Sequence, residues 1–285
     1  AVKWTFAKSL KWGTVGAVWA VIAFSVLAAW YATELPDVEQ AFNATRRPTV
    51  TVLAADGSQL TTIGDFYGRP TGLDELPRAL IQAVLATEDR RFFSHFGLDV
   101  IGLARAMKAN LQAGRIVQGG STLTQQLVKN FFLTREQTLV RKANEALMSV
   151  LLELHYEKDD ILETYLNEVY LGQAGTRSIH GFGLASQFYF GESLKDLDVH
   201  QIALLVGMVK GPSYYNPRRH PERSLARRNT VLKVALNEGA LSKADYDKYS
   251  NRSLEVVPRG ASALYAFPAF IDLVRRQLAR DYPPE

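Results

Sequence analysis

Residues 78–97 read RALIQAVLATEDRRFFSHFG, an apolar segment that runs directly into a cluster of charged and aromatic residues. The apolar part has the spacing of a helix packed against a core, and Glu88 stands at its exit. A carboxyl group beside apolar walls is poorly hydrated, so its pKa rises and it becomes a usable general base near neutral pH. The alternative is an ordinary helix end, with Glu88 and Asp89 paired to Arg90 or Arg91 in solvent. The charge run alone favours that alternative, because most charge runs are solvated.

A second polar segment, GGSTLTQQLVKN, occupies residues 119–130 and opens a helix predicted over 121–133. Thr122, Gln126 and Lys129 stand at i, i+4 and i+7, so they are predicted to share one helix face. A glycine-rich entry with hydroxyl donors can hold an anion on the free N–H groups of a helix N-terminus, and the lysine adds a cation. A solvent-facing polar stripe is an equally good interpretation.

The third segment is Arg141-Lys142-x-x-Glu145. Arg141 and Glu145 are spaced i, i+4, which on a helix surface is an ordinary ion pair of small energetic value. The alternative is that Arg141 and Lys142 hold a diphosphate, while Glu145 orients them or binds a divalent ion.

Elsewhere the pattern is predominantly helical, and the expected fold class is mainly α with a small β element and one N-terminal transmembrane helix. Residues 49–63 predict a hairpin around Asp56-Gly57. The helices are predicted over 80–87, 99–113, 121–133, 137–155, 159–171, 180–190, 198–210, 222–238 and 265–280, with one more starting at a capping box Ser242…Asp245. The apolar stripes predicted along two of these helices are Val100, Ala104, Met107 and Leu111 in one, and Leu139, Val140, Ala143, Leu147, Val150, Leu151 and Leu154 in the other. The stripe of the helix 137–155 is predicted to face the core.

Composition removes several classes of protein. The chain has 285 residues, no cysteine, 47% hydrophobic and 22% charged residues, which excludes a disordered chain, a disulfide scaffold and thiolate chemistry. No H-E-x-x-H, G-x-x-x-x-G-K-[ST], S-x-x-K or K-T-G occurs, which argues against a zinc protease, a P-loop NTPase and a penicilloyl-serine transpeptidase. The net charge of +4 suits an anionic partner such as a phosphate or a membrane surface. The basic run at 218–228 is typical of a solvated helix start, with headgroup contact as the alternative and no nucleic acid expected.

An uncharged stretch of 22 residues, Trp12–Thr33, is long enough to span a bilayer. Lysines lie within 1–11 and none within 34–45, so the positive-inside bias places the N-terminus in the cytoplasm and the rest of the chain outside. Trp12 and Trp30 stand near the two ends, where aromatic rings favour the interface. A retained anchor is predicted; a cleaved signal peptide and a buried core helix are the alternatives.

Five segments, in register, resemble the peptidoglycan glycosyltransferases of glycosyltransferase family 51, the catalytic module of class A penicillin-binding proteins. They are ATEDRRFFSHFG, GGSTLTQQLVKN, RKANEA, KDDILETYLNEVYLG and IHGFGLASQFYFG, within about residues 75–235. The resemblance implies a lysozyme-like helical fold with a lobe that dips into the membrane. It also implies polymerisation of lipid II into β-1,4-linked glycan strands, with inversion and release of undecaprenyl diphosphate.

Position by position, the resemblance makes Glu88 the catalytic base for the acceptor sugar's 4-hydroxyl, supported by Asp89 and His95. It assigns a second catalytic position to Glu145. The substrate-binding residues that it implies are Asp89 and His95 in the first motif, Thr122, Gln126, Lys129 and Asn130 on the donor-site helix, and Arg141, Lys142 and Lys210 beside the departing diphosphate. It leaves room for Mg²⁺ or Mn²⁺ at the diphosphate, names no metal ligand and calls for no organic cofactor.

The resemblance also implies partners, location and domain order. We expect lipid II, the growing lipid-linked strand, the bilayer and other cell-wall synthesis proteins as partners, in a single-pass protein of the bacterial inner membrane. The expected order is a cytoplasmic tail (1–11), the anchor (12–33), a linker with the hairpin (34–74), the glycosyltransferase domain (75–250) and a linker toward a transpeptidase domain (251–285). The absence of an initiator Met leads us to expect a trimmed chain. The rival functions are a lysozyme-like hydrolase or lytic enzyme and a non-catalytic cell-wall-binding module.

Overall fold

The computed structural model describes residues 50–53, 59–63, 66–67, 70–115, 119–132, 138–175 and 177–258, with isolated residues within 12–30 and 273–281. The strands are β1 (Val50–Leu53), β2 (Gln59–Ile63), β3 (Phe66–Tyr67), β4 (Tyr170–Ala174) and β5 (Arg177–His180). The helices are α1 (Arg78–Glu88), α2 (Val100–Ala113), α3 (Leu123–Phe132), α4 (Leu139–His155), α5 (Lys158–Glu168), α6 (Phe182–Phe190), α7 (Val199–Val209), α8 (Pro221–Asn237) and α9 (Lys243–Ser250). The described part is therefore mainly α with small β elements, as the sequence predicts.

The described strands form two small sheets. β1 pairs antiparallel with β2, which confirms the hairpin predicted over 49–63. The second sheet has the order β3-β5-β4, with β5 parallel to β3 and antiparallel to β4. This second sheet has no counterpart in the sequence prediction.

The predicted helix 159–171 is wrong at its C-terminal end. α5 ends at Glu168, and residues 170–174 form β4 instead. Gly172 has φ 147°, and a Cβ added there would stand 2.4 Å from the Tyr189 hydroxyl. That hydroxyl donates a hydrogen bond to Leu171 O at 3.2 Å. Gly172 therefore admits the tyrosine against a strand; its role is not to end a helix.

α7 lies at the centre of the described core. Every residue from His200 to Met208 is buried, as expected for a helix that is apolar on nearly all sides. It packs against α1 and α8. At its start Asp198 and Gln201 form a reciprocal capping box, which satisfies two backbone N–H groups. Lys210 directly follows the other end of α7, so this buried helix fixes the backbone position of that lysine.

The predicted core stripe of α4 is wrong. Leu139 is 90% exposed and Leu154 is 64% exposed. The face that is buried carries Glu145, Met148, Ser149, Leu152 and Glu153. Two carboxylates enter the interior because cations and hydroxyls meet them there; Glu153, for example, accepts from Thr124 Oγ1 and Lys158 Nζ. The apolar face of α4 is left uncovered by the described chain.

The apolar stripe of α2 is also exposed, while the aromatic cluster before it is divided. Val100 is 72% exposed and Leu111 is 77% exposed, and Ala106 is the residue of α2 that is buried. Phe92 is buried in the core, whereas Phe93 is 57% exposed and Phe96 is 49% exposed. Of these three rings, that of Phe92 is therefore the one that packs in the core.

The predicted membrane span, 12–33, falls largely outside the described residues. Those of its residues that the structure describes, 12–16, 18, 19, 22, 26 and 30, are helical and exposed. Within the described residues, no helix combines the length and the apolar character that crossing a bilayer needs. The predicted helix 265–280 also lies mostly outside the described residues, so both stay predictions.

The basic run at 218–228 is not a solvated helix start. Arg228 is fully buried, and its Nη1 donates to the carbonyls of Arg252 and Ser253 at 2.8 and 2.9 Å. The Arg218 guanidinium lies 4.3 Å from the centre of the Phe188 ring and donates to Val257 O at 3.0 Å. These arginines fasten residues 250–257 to the domain, because carbonyls without other partners need donors.

Gly97 offers a test of the packing between the loop after α1 and helix α4. Its φ is 69°, and a Cβ there would stand 2.8 Å from the Ser149 backbone. Gly191 has φ 73° with open space around it, so Gly191→Ala measures the conformational cost alone, about 1 kcal/mol. Gly97→Ala adds a backbone clash, and we expect a further ~1–3 kcal/mol of destabilisation. Thermal unfolding of both variants checks this; equal losses would contradict the close approach.

Candidate active site

Helix α1 delivers Glu88 to the wall of a cavity of about 350 Å³. The Glu88 side chain is 12% exposed. Its Oε2 accepts a hydrogen bond from Gln126 Nε2 at 3.1 Å, and its Oε1 lies 3.7 Å from Arg227 Nη2. The solvated pairing with Arg90 or Arg91 is therefore wrong for Glu88: the carboxylate is enclosed and held by two other elements.

Burial raises the pKa of the Glu88 carboxyl above its ordinary value. The hydrogen bond from Gln126 and the charges of Arg227, Lys210 and Lys129 oppose that shift and lower the pKa. A desolvated carboxylate is a stronger proton acceptor than a solvated one. Glu88 thus meets the electrostatic requirement for a general base.

Asp89 anchors the loop that follows Glu88. It is buried, and its two carboxylate oxygens lie 3.1 and 3.0 Å from His95 Nε2. Its Oδ2 also accepts from the Leu123 N–H at 3.0 Å. Asp89 therefore joins the exit of α1 to the start of α3 and fixes Glu88 relative to Gln126. The solvated alternative is wrong for Asp89 as well.

The N-terminus of α3 is capped by the protein itself. Thr122 Oγ1 accepts from Gln125 N, and Gln125 Oε1 accepts from Thr122 N, which is a reciprocal capping box. Thr122 Oγ1 also donates to Gly97 O at 2.7 Å. The prediction that these N–H groups are free for an anion is wrong at Thr122, Leu123 and Gln125, because side-chain oxygens already occupy them. Thr122 stands one residue before α3 and lines the same cavity as Gln126 and Lys129, in agreement with the predicted grouping.

Gln126 is held between Glu88 and a buried tyrosine. Tyr165 donates its hydroxyl hydrogen to Gln126 Oε1 at 3.1 Å, which leaves the amide nitrogen facing Glu88. Burial holds the pKa of the Tyr165 hydroxyl well above its ordinary value, and the negative charges of Glu88 and Asp89 raise it further. The hydroxyl is therefore a permanent donor that sets the orientation of the amide.

Tyr165→Phe is expected to lower the catalytic rate roughly 2- to 10-fold, the equivalent of one hydrogen bond, because the Gln126 amide loses its fixed orientation. Tyr189→Phe is the matched control: it removes a hydrogen bond of an equally buried hydroxyl, to Leu171 O, outside the cavities. Both variants should lose similar stability in thermal unfolding. Equal rate losses in the two would show a general packing effect.

A second cavity of about 470 Å³ contains the third motif. Glu145 has a side chain only 3% exposed, and it pairs with Arg141 Nη1 at 3.1 Å through Oε2 and with Lys142 Nζ through Oε1. Lys142 Nζ also donates to Ser121 Oγ at 3.0 Å. The prediction that Glu145 orients the two cations agrees with this geometry. Both oxygens of the buried carboxylate are therefore occupied by these two cations.

The two cavities meet. Ser121, Gln126 and Lys129 line both, Glu88 and Lys210 line the first, and the Arg141–Lys142–Glu145 cluster lines the second. We call the two cavities together the cleft. Asn130 is exposed at the next position of α3 and is not among the residues that line the cleft. Carboxylates and cations from several separate segments of the chain therefore surround one space.

Sequence reasoning missed two members of this arrangement. Arg227 was assigned to a solvated run, although it lines the cleft beside Glu88. Tyr165 lies within the KDDILETYLNEVYLG motif, but the sequence predicts no role for its side chain. Its position seven residues into α5 offered no sign that its hydroxyl reaches Gln126.

Two of the carboxylates that line the cleft already have partners within the protein for both of their oxygens. Both oxygens of Glu145 already face Arg141 and Lys142, and both oxygens of Asp89 face His95. Among the described residues, the trio close enough to share an ion is Asp198, His200 and Glu255. There, the Arg252 guanidinium pairs with both carboxylates.

A helical domain that gathers a desolvated carboxylate and several cations around one cleft has the arrangement of an enzyme that transfers a chemical group. The chain belongs to the Transglycosylase family, which matches residues 56–235. It is 55% identical over 208 residues to penicillin-binding protein 1B of Haemophilus influenzae, covering 73% of this chain and 26% of that protein. It is 52% identical over 202 residues to penicillin-binding protein 1B of Escherichia coli, covering 71% and 24%.

Penicillin-binding protein 1A of Aquifex aeolicus is 40% identical over 276 residues, covering 96% of this chain and 37% of that protein. The chain thus spans between about a quarter and somewhat over a third of the length of these curated relatives. The domain is the glycosyltransferase module of the class A penicillin-binding proteins, which confirms the resemblance seen in the five motifs.

Proposed function

We propose that the chain polymerises lipid II into β-1,4-linked glycan strands and releases undecaprenyl diphosphate. The observation that carries the proposal is the cleft, in which a desolvated Glu88 and the cations Lys129, Arg141 and Lys142 line one connected space. A base for a hydroxyl and cations for a diphosphate are the two functions that this transfer needs. A hydrolase needs the first and leaves the cations without a role.

In the proposed reaction, Glu88 takes the proton of the acceptor sugar's 4-hydroxyl as that oxygen attacks C1 of the donor. The bond between C1 and the diphosphate oxygen breaks on the opposite face, so the anomeric centre inverts. Negative charge then builds on the departing diphosphate. The electron pair leaves with that oxygen, and the proton stays on Glu88 until solvent removes it.

Lys129, Arg141 and Lys142 are proposed to stabilise the departing diphosphate, with Lys210 as a further cation at the Glu88 end. Fixed cations stabilise developing charge without having to reorganise during the reaction. Glu145 is proposed to act through Arg141 and Lys142, holding them in place, and Asp89 and His95 to act through the position of Glu88. Thr122, Gln126 and Asn130 are proposed as donor-side residues. Mg²⁺ or Mn²⁺ would enter as a companion of the diphosphate, and no step above runs through it.

Membrane association is part of the proposal. The exposed apolar side chains of α2 and of the preceding loop, Phe93, Phe96, Val100, Ile101, Leu103, Met107 and Leu111, support it. Soluble domains seldom leave that much contiguous apolar area in water. With the predicted anchor at 12–33, these side chains would hold the cleft beside a lipid-linked substrate at the outer face of the inner membrane. We also propose for this chain the domain order that the sequence predicts.

The test is an assay with fluorescent lipid II in vesicles, run beside an assay with finished glycan, each with and without EDTA. Growth of strands on wild-type protein, without degradation of finished glycan, is the expected result. Degradation of finished glycan without growth would support the hydrolase. Binding of glycan with neither reaction would leave a binding module. A loss of growth with EDTA that Mg²⁺ or Mn²⁺ restores would add a metal requirement.

A further inference from the structure

Arg227, on helix α8, reaches the catalytic carboxylate. Its side chain is only 14% exposed, and its Nη2 lies 3.7 Å from Glu88 Oε1, within ion-pair range but beyond hydrogen-bond distance. It lines the cleft with Glu88, Lys129 and Lys210. Within the described part of the chain, it is the cation in ion-pair contact with Glu88.

The position of Arg227 is fixed by contacts outside the cleft. Its Nε donates to Gly207 O at 3.2 Å, and its guanidinium lies 5.9 Å from the centre of the Tyr215 ring. A Cβ on Gly207 would stand 3.1 Å from Arg227 Cγ and 3.6 Å from its carbonyl carbon. Glycine is unfavourable inside a helix, so Gly207 in the last turn of α7 is explained by the close passage of Arg227.

The charged and titratable groups that face Glu88 come from every element around it. Lys129 lies on α3, Lys210 at the end of α7, and Arg227 on α8. Asp89 follows Glu88 directly, and the negative charges of both carboxylates raise the pKa of the Tyr165 hydroxyl on α5. The two lysines are exposed and lie at longer range. The largely buried Arg227 is the group that is both close to the carboxylate and held by other contacts.

We propose that Arg227 is a positioning residue for the base: it holds Oε1 of Glu88 while Gln126 holds Oε2, and it keeps the carboxylate ionised and aimed into the cleft. This role rests on the proposed function of Glu88 in lipid II polymerisation. Arg227 acts through Glu88 and not on the sugar or the diphosphate. An Arg–carboxylate contact in a poorly hydrated site is strong enough to favour the ionised form.

The experiment measures the pH profile of kcat/KM for lipid II polymerisation in wild type, Arg227→Gln, Arg227→Lys and Arg223→Gln. Arg223 is an exposed arginine one helical turn away, over the Tyr214 ring. Without the positive charge, Glu88 takes up protons at higher pH. We therefore expect Arg227→Gln to lose about 3- to 10-fold more rate at pH 6 than at pH 8, relative to wild type. Arg227→Lys should restore the acid limb, and Arg223→Gln should match wild type.

Gly207→Ala is a second variant that leaves Arg227 in the sequence. Its Cβ would displace the arginine, so its acid limb should move in the same direction and by less. A thermodynamic cycle adds a measurement that needs no substrate. At neutral pH, Arg227→Gln should lower the melting temperature of wild type more than it lowers that of Glu88→Gln, because the ion pair is already missing in the second background.

Three results would overturn the role. One is an unchanged acid limb in Arg227→Gln with a raised KM, which would make Arg227 a substrate contact. Another is a loss of rate that is equal at all pH values and is not restored by lysine. The third is an additive thermodynamic cycle. If wild type itself shows no strand growth, the proposed function fails; if wild type grows strands and Arg227→Gln behaves like wild type, this inference alone fails.

Discussion

Replacing Glu88 with glutamine is expected to lower the rate of strand growth by a factor of about 10²–10⁴. The substitution keeps the size of the side chain and an oxygen for the hydrogen bond from Gln126. It removes the proton acceptor, so the acceptor hydroxyl must lose its proton to water. The loss should appear in kcat, because the interaction that disappears is made only as the proton moves.

The pH profile of kcat/KM of the wild-type protein should report the protonation of Glu88. Burial raises the pKa of Glu88, so the acid limb of kcat/KM should lie above the ordinary glutamate value of 4.5. The sign for stability follows: a carboxyl whose pKa is higher when folded contributes stability below its unfolded pKa, and that contribution is lost as pH rises through the folded pKa. Folding therefore disfavours the charged form of the Glu88 carboxyl.

This sign separates catalysis from folding. Glu88→Gln should melt at or above the wild-type temperature at neutral pH, and the difference should vanish below pH 4.5, where both side chains are uncharged. Glu192→Gln, at an exposed acid, should change neither rate nor melting. Full strand growth by Glu88→Gln would remove Glu88 as the base. An inactive variant with a lowered melting temperature would point to a structural defect instead.

The residues of the site could be predicted wherever they belong to one short sequence motif. Glu88 follows an apolar helix, Gln126 and Lys129 share the spacing of one face, and Arg141 and Glu145 are one turn apart, so each group could be named from its neighbours in sequence. That the groups surround one cleft was a prediction from resemblance, and the structure places them around it. Arg227 and Tyr165 were missed because their partners, Gly207, Glu88 and Gln126, are distant in sequence.

The fold was predictable in its elements and not in which faces are covered. Periodicity identifies the apolar side of a helix, but it does not say whether another part of the chain packs there. On α4 the exposed Leu139 and Leu154 gave the stronger pattern, whereas the covered side holds Glu145 and Glu153, whose charges are neutralised by cations on α4 and α5. A buried carboxylate therefore looks like a surface residue until its partner is known.

Lys129→Gln is expected to cost about 10²–10³ in kcat, or ~2.7–4 kcal/mol of transition-state stabilisation. Lys129 lines both cavities of the cleft, so it stands between Glu88 and the Arg141–Lys142 pair. In the proposed reaction, the charge on the diphosphate oxygen grows as the bond to C1 breaks. A cation at that point is worth more in the transition state than in the bound substrate, so kcat should fall more than KM rises.

The control for this prediction is Lys195→Gln, a lysine 59% exposed that pairs with Glu75 at the surface. It should retain the wild-type rate, and both variants should stay within about 0.5 kcal/mol of wild-type stability, because both lysines are exposed. Lys129→Arg should recover part of the rate, since it keeps the charge with a different shape. A higher KM with an unchanged kcat would reduce Lys129 to ground-state binding. An unchanged rate would place the departing diphosphate elsewhere in the cleft, against Arg141 and Lys142 alone.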